Sequence, residues 1–94
     1  MATSLDIHTV AKHAEQVCWS CIDDEAILLS LSRGFYYTLN SVGCDLWKSI
    51  DGKRTVRDLG RALCSIYEAA QNQVESDILS LFDELLHEEL IVIV

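Results

Sequence analysis

From Val17 to Leu39 the apolar positions follow a strand-like rhythm, and from Val42 onward they recur about every third or fourth residue. The first region divides at two polar punctuations. Val17–Ile22 (VCWSCI) alternates and predicts a strand, closed by the turn Asp23-Asp24-Glu25. Residues 26–31 (AILLSL) are more continuously apolar, which predicts a second strand in the centre of its sheet. Ser32-Arg33-Gly34 supplies the next turn, with Gly34 suited to a positive φ, and Phe35–Leu39 (FYYTL) is the third strand. Connections this short predict an antiparallel meander.

Three helices are predicted to follow. Asn40 or Ser41 can cap the first, which runs to about Ile50 with Val42, Leu46, Trp47 and Ile50 on one face. Asp51-Gly52 ends it. Thr55 and Asp58 have capping-box spacing, and the second helix places Val56, Leu59, Leu63, Ile66 and Tyr67 on its apolar stripe. A polar break over residues 70–73 precedes the third, whose stripe is Val74, Ile78, Leu81, Phe82, Leu85 and Leu86. Its opposite face carries Glu75, Asp77, Asp83, Glu84, Glu88 and Glu89 without one Lys or Arg. Residues 1–14 alternate weakly and read as a loose start or a short edge strand. Residues 90–94 (LIVIV) form a β-prone apolar tail.

This order predicts an α+β domain spanning residues 1–94, a three-stranded antiparallel sheet followed by three helices. The end strands of such a sheet expose unpaired N–H and C=O groups. With no Pro and no inward-pointing charge, Phe35–Leu39 is an undefended edge, suited to accepting a peptide as a further strand.

Charge narrows the classes of partner. The 94-residue chain has a formal net charge of -8, which opposes binding to a phosphate backbone. Its one basic concentration, Lys53, Arg54, Arg57 and Arg61, reads as a solvated helix start. No apolar run is long enough to cross a bilayer and no secretory signal pattern is present, so a cytoplasmic location is expected. The four cysteines read as free thiols. Cys18 and Cys21 point to opposite faces of a strand, and Cys44 and Cys64 lie in helical patterns with no His at ligand spacing. His8, His13 and His87 read as surface histidines. There is no Gly-rich phosphate loop, no nucleophile elbow and no HExxH, and the chain is read as a non-enzyme without catalytic, cofactor or metal residues.

The segment LNSVGCDLW carries a more specific signal. An aromatic strand leading into Leu39-Asn40, then Gly43, Trp47, Asp51-Gly52 and Thr55-Val56, resembles the pyrroloquinoline-quinone biosynthesis protein D (PqqD) family. Glu25 to Leu29 and the closing Leu85-Leu86 and Leu90-Ile91 also fit, so the likeness covers about residues 17–92. The resemblance implies a winged-helix-like unit serving as a RiPP recognition element, a precursor-peptide chaperone. Such a protein binds the leader segment of a ribosomally made precursor and delivers it to modifying enzymes. The implied leader strand adds along the third strand, in the cleft beside the third helix. The implied contact residues are Phe35, Tyr36, Tyr37 and Thr38 on the strand, with Val74, Asp77, Ile78, Leu81 and Phe82 on the helix. A discrete recognition protein of a lasso-peptide pathway, working with a leader peptidase and a cyclase, is the preferred member. The four cysteines depart from the family's usual rarity of that residue.

Alternation refines these positions. Phe35, Tyr37 and Leu39 share one face, as core or cleft wall, and Tyr36 and Thr38 share the other. Leu39 and Trp47 are expected in the core. Two other readings compete: a winged-helix DNA-binding regulator, opposed by the acidic third helix, and a dimerisation module pairing through the LIVIV tail. The chain is expected as a monomer or a homodimer.

Overall fold

A computed structural model describes residues 5–94. Its elements are β1 (Ala11–His13), β2 (Val17–Ile22), β3 (Glu25–Ser30), β4 (Phe35–Leu39), α1 (Ser41–Ser49), α2 (Val56–Tyr67), α3 (Gln71–His87) and β5 (Ile91–Ile93). The Cα extents of 37 × 36 × 19 Å describe two layers, a sheet and the helices over it.

β2, β3 and β4 form the expected antiparallel meander with β3 in the middle. The turn Asp23-Asp24 takes positive φ at both residues, 51° and 64°, which brings β2 and β3 together directly. Gly34, at φ 71°, completes the β3–β4 connection as expected. The continuous apolar run of β3 has a different basis from burial on both faces. Ala26, Leu28 and Ser30 point inward and are buried, whereas Ile27 and Leu29 stand on the outer face, 40% and 41% exposed. β3 is central in strand order while one face of its sheet remains open.

The inner face receives α1, which packs across β3 and β4. The entry to α1 explains the LNxxGxxxW spacing. Leu39 is buried at the end of β4, and the Asn40 Oδ1 caps the helix by accepting from the Gly43 N–H at 2.9 Å. A Cβ on Gly43 would sit 3.0 Å from the Leu39 Cβ, so its absence lets the first turn settle on the strand. One turn later Trp47 fills the core completely. Thr55 and Asp58 form the capping box, with reciprocal bonds of 3.1 Å.

Some helix residues depart from the stripes. Val42, on the first turn of α1, is half exposed, and Ile66 and Tyr67 extend beyond the core at the end of α2. α3 starts at Gln71 rather than after the expected break, because its first turn is polar and faces solvent, leaving no periodic trace. The fully buried helical residues Val56, Leu59, Phe82 and Leu85 join Trp47 and Leu28 in one core.

The N-terminus takes one of its two expected forms, and the C-terminal tail corrects an expectation. Of residues 1–14, expected as a loose start or a short edge strand, residues 1–4 lie outside the described residues, and the remainder is tied down and includes the short strand β1. The Val56 and Arg57 N–H groups donate to the Thr9 and Ile7 carbonyls at 3.0 Å, and Ala11–His13 pairs antiparallel with Ile91–Ile93. The LIVIV tail therefore finds its strand partner within the chain, with Leu90 and Ile91 buried, so the pairing that suggested a second copy is met internally.

His13 is the other correction. Its ring stacks on Trp47 with centroids 3.8 Å apart and planes 4° from parallel, and Trp19 meets both edge-on. Its Nε2 lies 2.8 Å from the Trp47 carbonyl; a carbonyl only accepts, so the neutral ring carries its proton on Nε2 and donates. Burial lowers its pKa below the ordinary 6.5, more than this bond raises it. His8 and His87 are exposed, as expected.

Candidate functional site

β4 ends its sheet, so its outer row of N–H and C=O groups has no strand partner among the described residues. Beside this edge lies a groove of about 570 Å³ lined from every neighbouring element. β4 contributes Tyr37, Thr38 and Leu39, and the opening turns of α1 contribute Val42, Gly43 and Leu46. Leu63 and Tyr67 come from α2, and α3 supplies Val74, Asp77, Ile78, Leu81 and Glu84. Spacings of three and four place these α3 residues on one helical face. That face joins an apolar wall to two exposed carboxylates, Asp77 and Glu84.

Two phenols mark the groove, and both are donors. The Tyr37 hydroxyl donates to the Glu84 Oε2 at 3.1 Å, bridging β4 and α3. Burial raises its pKa, and the bond to Glu84 and the charges of Glu84 and Glu88 raise it further. The Tyr67 hydroxyl donates to the Asp45 carboxylate, which with lesser help from burial pushes its pKa up to about 12. Protonated at neutral pH, neither serves as a base there. The site combines a sheet edge, an apolar trough and fixed acceptors, the equipment for holding an extended chain. No group of three or more His, Cys, Asp or Glu placed to hold a metal occurs among the described residues.

Six of the nine residues singled out from the sequence line the groove: Tyr37, Thr38, Val74, Asp77, Ile78 and Leu81. The other three are placed elsewhere. Phe82 is fully buried and belongs to the core, because it follows Leu81 around the helix and so turns away from the groove. Phe35 packs against the core, with the Arg33 guanidinium 5.3 Å from its ring centroid. Tyr36 is 71% exposed on the open face of the sheet, as alternation predicts. Along the sequence, Val42, Leu46, Leu63 and Tyr67 mark only apolar helix stripes. Their periodicity was visible, but whether a stripe closes on a neighbour or borders a gap depends on helix placement.

Comparison with known proteins agrees with this architecture. The sequence profile of the family described as coenzyme PQQ synthesis protein D (PqqD) matches residues 25–91, well over half of the chain. The chain belongs to the PqqD family. Among solved structures, this PqqD-family chain is similar to TbiB1 in complex with the TbiA(beta) leader peptide. The two are 30% identical with a TM-score of 0.79, over 85% of this chain and 93% of the other. A lasso peptide synthetase B1 complexed with the leader peptide shares the fold at 21% identity, TM-score 0.79, over 87% of this chain and 96% of the other. No curated protein matches the chain.

Proposed function

We propose that this PqqD-family protein is a non-catalytic binding module for the leader segment of a ribosomally synthesised precursor peptide. The leader adds as a strand along the outer edge of β4, in the groove beside α3, and the complex delivers the precursor to a leader peptidase and cyclase of the lasso type. One observation carries this reading: the unpaired edge of β4 borders an apolar groove lined by Tyr37, Val74, Ile78 and Leu81. Main-chain pairing supplies sequence-tolerant affinity, and alternate leader side chains entering the groove supply selectivity. Asp77 and Glu84 favour a leader with Lys or Arg beside its apolar residues, by the small amount that exposed charge pairs allow. Both named solved structures contain leader peptides, which supports the class of ligand.

The test is titration with a labelled precursor peptide encoded beside this chain, followed by amide exchange of the complex. Saturable binding with slowed exchange at alternate β4 residues is expected. Binding that leaves every β4 amide unprotected would overturn strand addition, and no binding would overturn the leader-peptide reading. For the DNA-regulator alternative, α3 still presents Asp77, Asp83 and Glu84 to solvent, which would repel phosphate.

A further inference from the structure

Cys21 lies in β2 and Cys44 in α1, far apart in sequence and unconnected by any motif. The fold brings their Sγ atoms to 2.6 Å. Non-bonded heavy atoms rest at roughly 3.5–4.0 Å, so these sulfurs need only a short movement to reach the bonding distance of about 2.05 Å. The other thiols are disposed differently. Cys18 points out from the opposite face of β2, and the Cys64 thiol donates to the Arg61 carbonyl on α2. Cys21 is half-buried and reachable, whereas Cys44 is 1% exposed.

We propose that Cys21 and Cys44 form an oxidative cross-linking site whose co-oxidant is a peroxide. The Cys21 sulfur, as thiolate, attacks one peroxide oxygen; the O–O bond breaks, and hydroxide leaves and takes up the proton as water. The resulting Cys21 sulfenic acid is attacked by the Cys44 sulfur, which loses its proton as the S–O bond breaks and a second water departs. Two thiols lose two electrons, and one hydrogen peroxide becomes two waters. Exposure sets the order of events. Burial, with smaller contributions from Cys21 and Asp45, pushes the Cys44 thiol up to about 11, so it stays protonated and shielded until its neighbour is activated. The bond joins α1 to the sheet. Because Val42, Gly43 and Leu46 of α1 line the groove, the cross-link pins the groove floor.

The test needs no peptide ligand and is independent of the proposed function. The full reduced chain is treated with hydrogen peroxide, and free thiols are counted after denaturation. A fall from four thiols to two is expected. The mass should drop by about 2 Da, Cys21 and Cys44 should share one cross-linked peptide, and the thermal midpoint should rise on the order of 10 °C, all reversed by a reductant. The double variant Cys18→Ser/Cys64→Ser should cross-link identically, and neither Cys21→Ser nor Cys21→Ala should form an intramolecular disulfide. A cross-link through Cys18 or Cys64 would overturn the assignment. So would oxidation of Cys21 to a sulfinic acid with Cys44 left as a thiol.

Discussion

Two aromatic regions of this molecule share similar composition and behave differently. Trp19, His13 and Trp47 converge from β2, β1 and α1 into a stack in which Trp47 has no exposed surface. Tyr37 and Tyr67 stand beside open space, each anchored by its hydroxyl to a carboxylate on a neighbouring helix. A ring stacked on one neighbour, met edge-on by another and fully buried contributes burial area and rigidity. A ring held only by its polar end leaves apolar surface for a visitor. The difference comes from backbone placement: three elements close over Trp47, while β4 and α3 leave a trough between them.

The stacked region is most sensitive at Trp47. Trp47→Ala should cost about 3–5 kcal/mol, a large part of the ~5–15 kcal/mol typical of a domain, and urea unfolding monitored by circular dichroism would measure it. The groove should respond oppositely. Leu81→Glu, at a half-buried groove residue, should leave the urea midpoint nearly unchanged and weaken precursor-peptide affinity at least tenfold, about 1.4 kcal/mol. An intermediate case is Asn40→Ala, which removes the α1 cap between the two regions and should cost about 1 kcal/mol of stability.

His13 makes the stacked region sensitive to pH. Its pKa is lowered in the folded state, so below 6.5 the unfolded chain binds the proton more readily. The thermal midpoint should therefore fall as pH drops through that value, and His13→Gln should flatten that part of the profile. An equal slope in the variant would show that His13 is not its source. The smallest effect is expected for Tyr37→Phe. It deletes an exposed hydrogen bond to Glu84, worth about 0.5–1.5 kcal/mol at most, and leaves the groove walls in place.

The residues most recognisable in the sequence are not those of the groove. Leu39, Asn40, Gly43 and Trp47 carry the family likeness, and their work is to join β4 to α1: a buried end residue, a cap, a missing Cβ and a core ring. Gln16 shows the reverse case. No pattern marks it, yet its side chain accepts from the Ser30 hydroxyl at 3.0 Å and donates to the Glu89 carbonyl at 2.9 Å, linking the sheet to the segment after α3.

Period, turn residues and caps are local, and they were enough to determine the three-stranded meander, three helices and the exposed edge of β4. Packing is not local, and only the tertiary structure decided four further matters. It sent Phe82 into the core and left Leu81 in the groove, although they are adjacent. It folded the apolar tail back onto β1. It stacked the half-buried His13 on Trp47. It set Cys21 against Cys44, which no spacing along the chain could have joined. Each depends on the angle and separation at which elements meet, and those are settled by the whole core together.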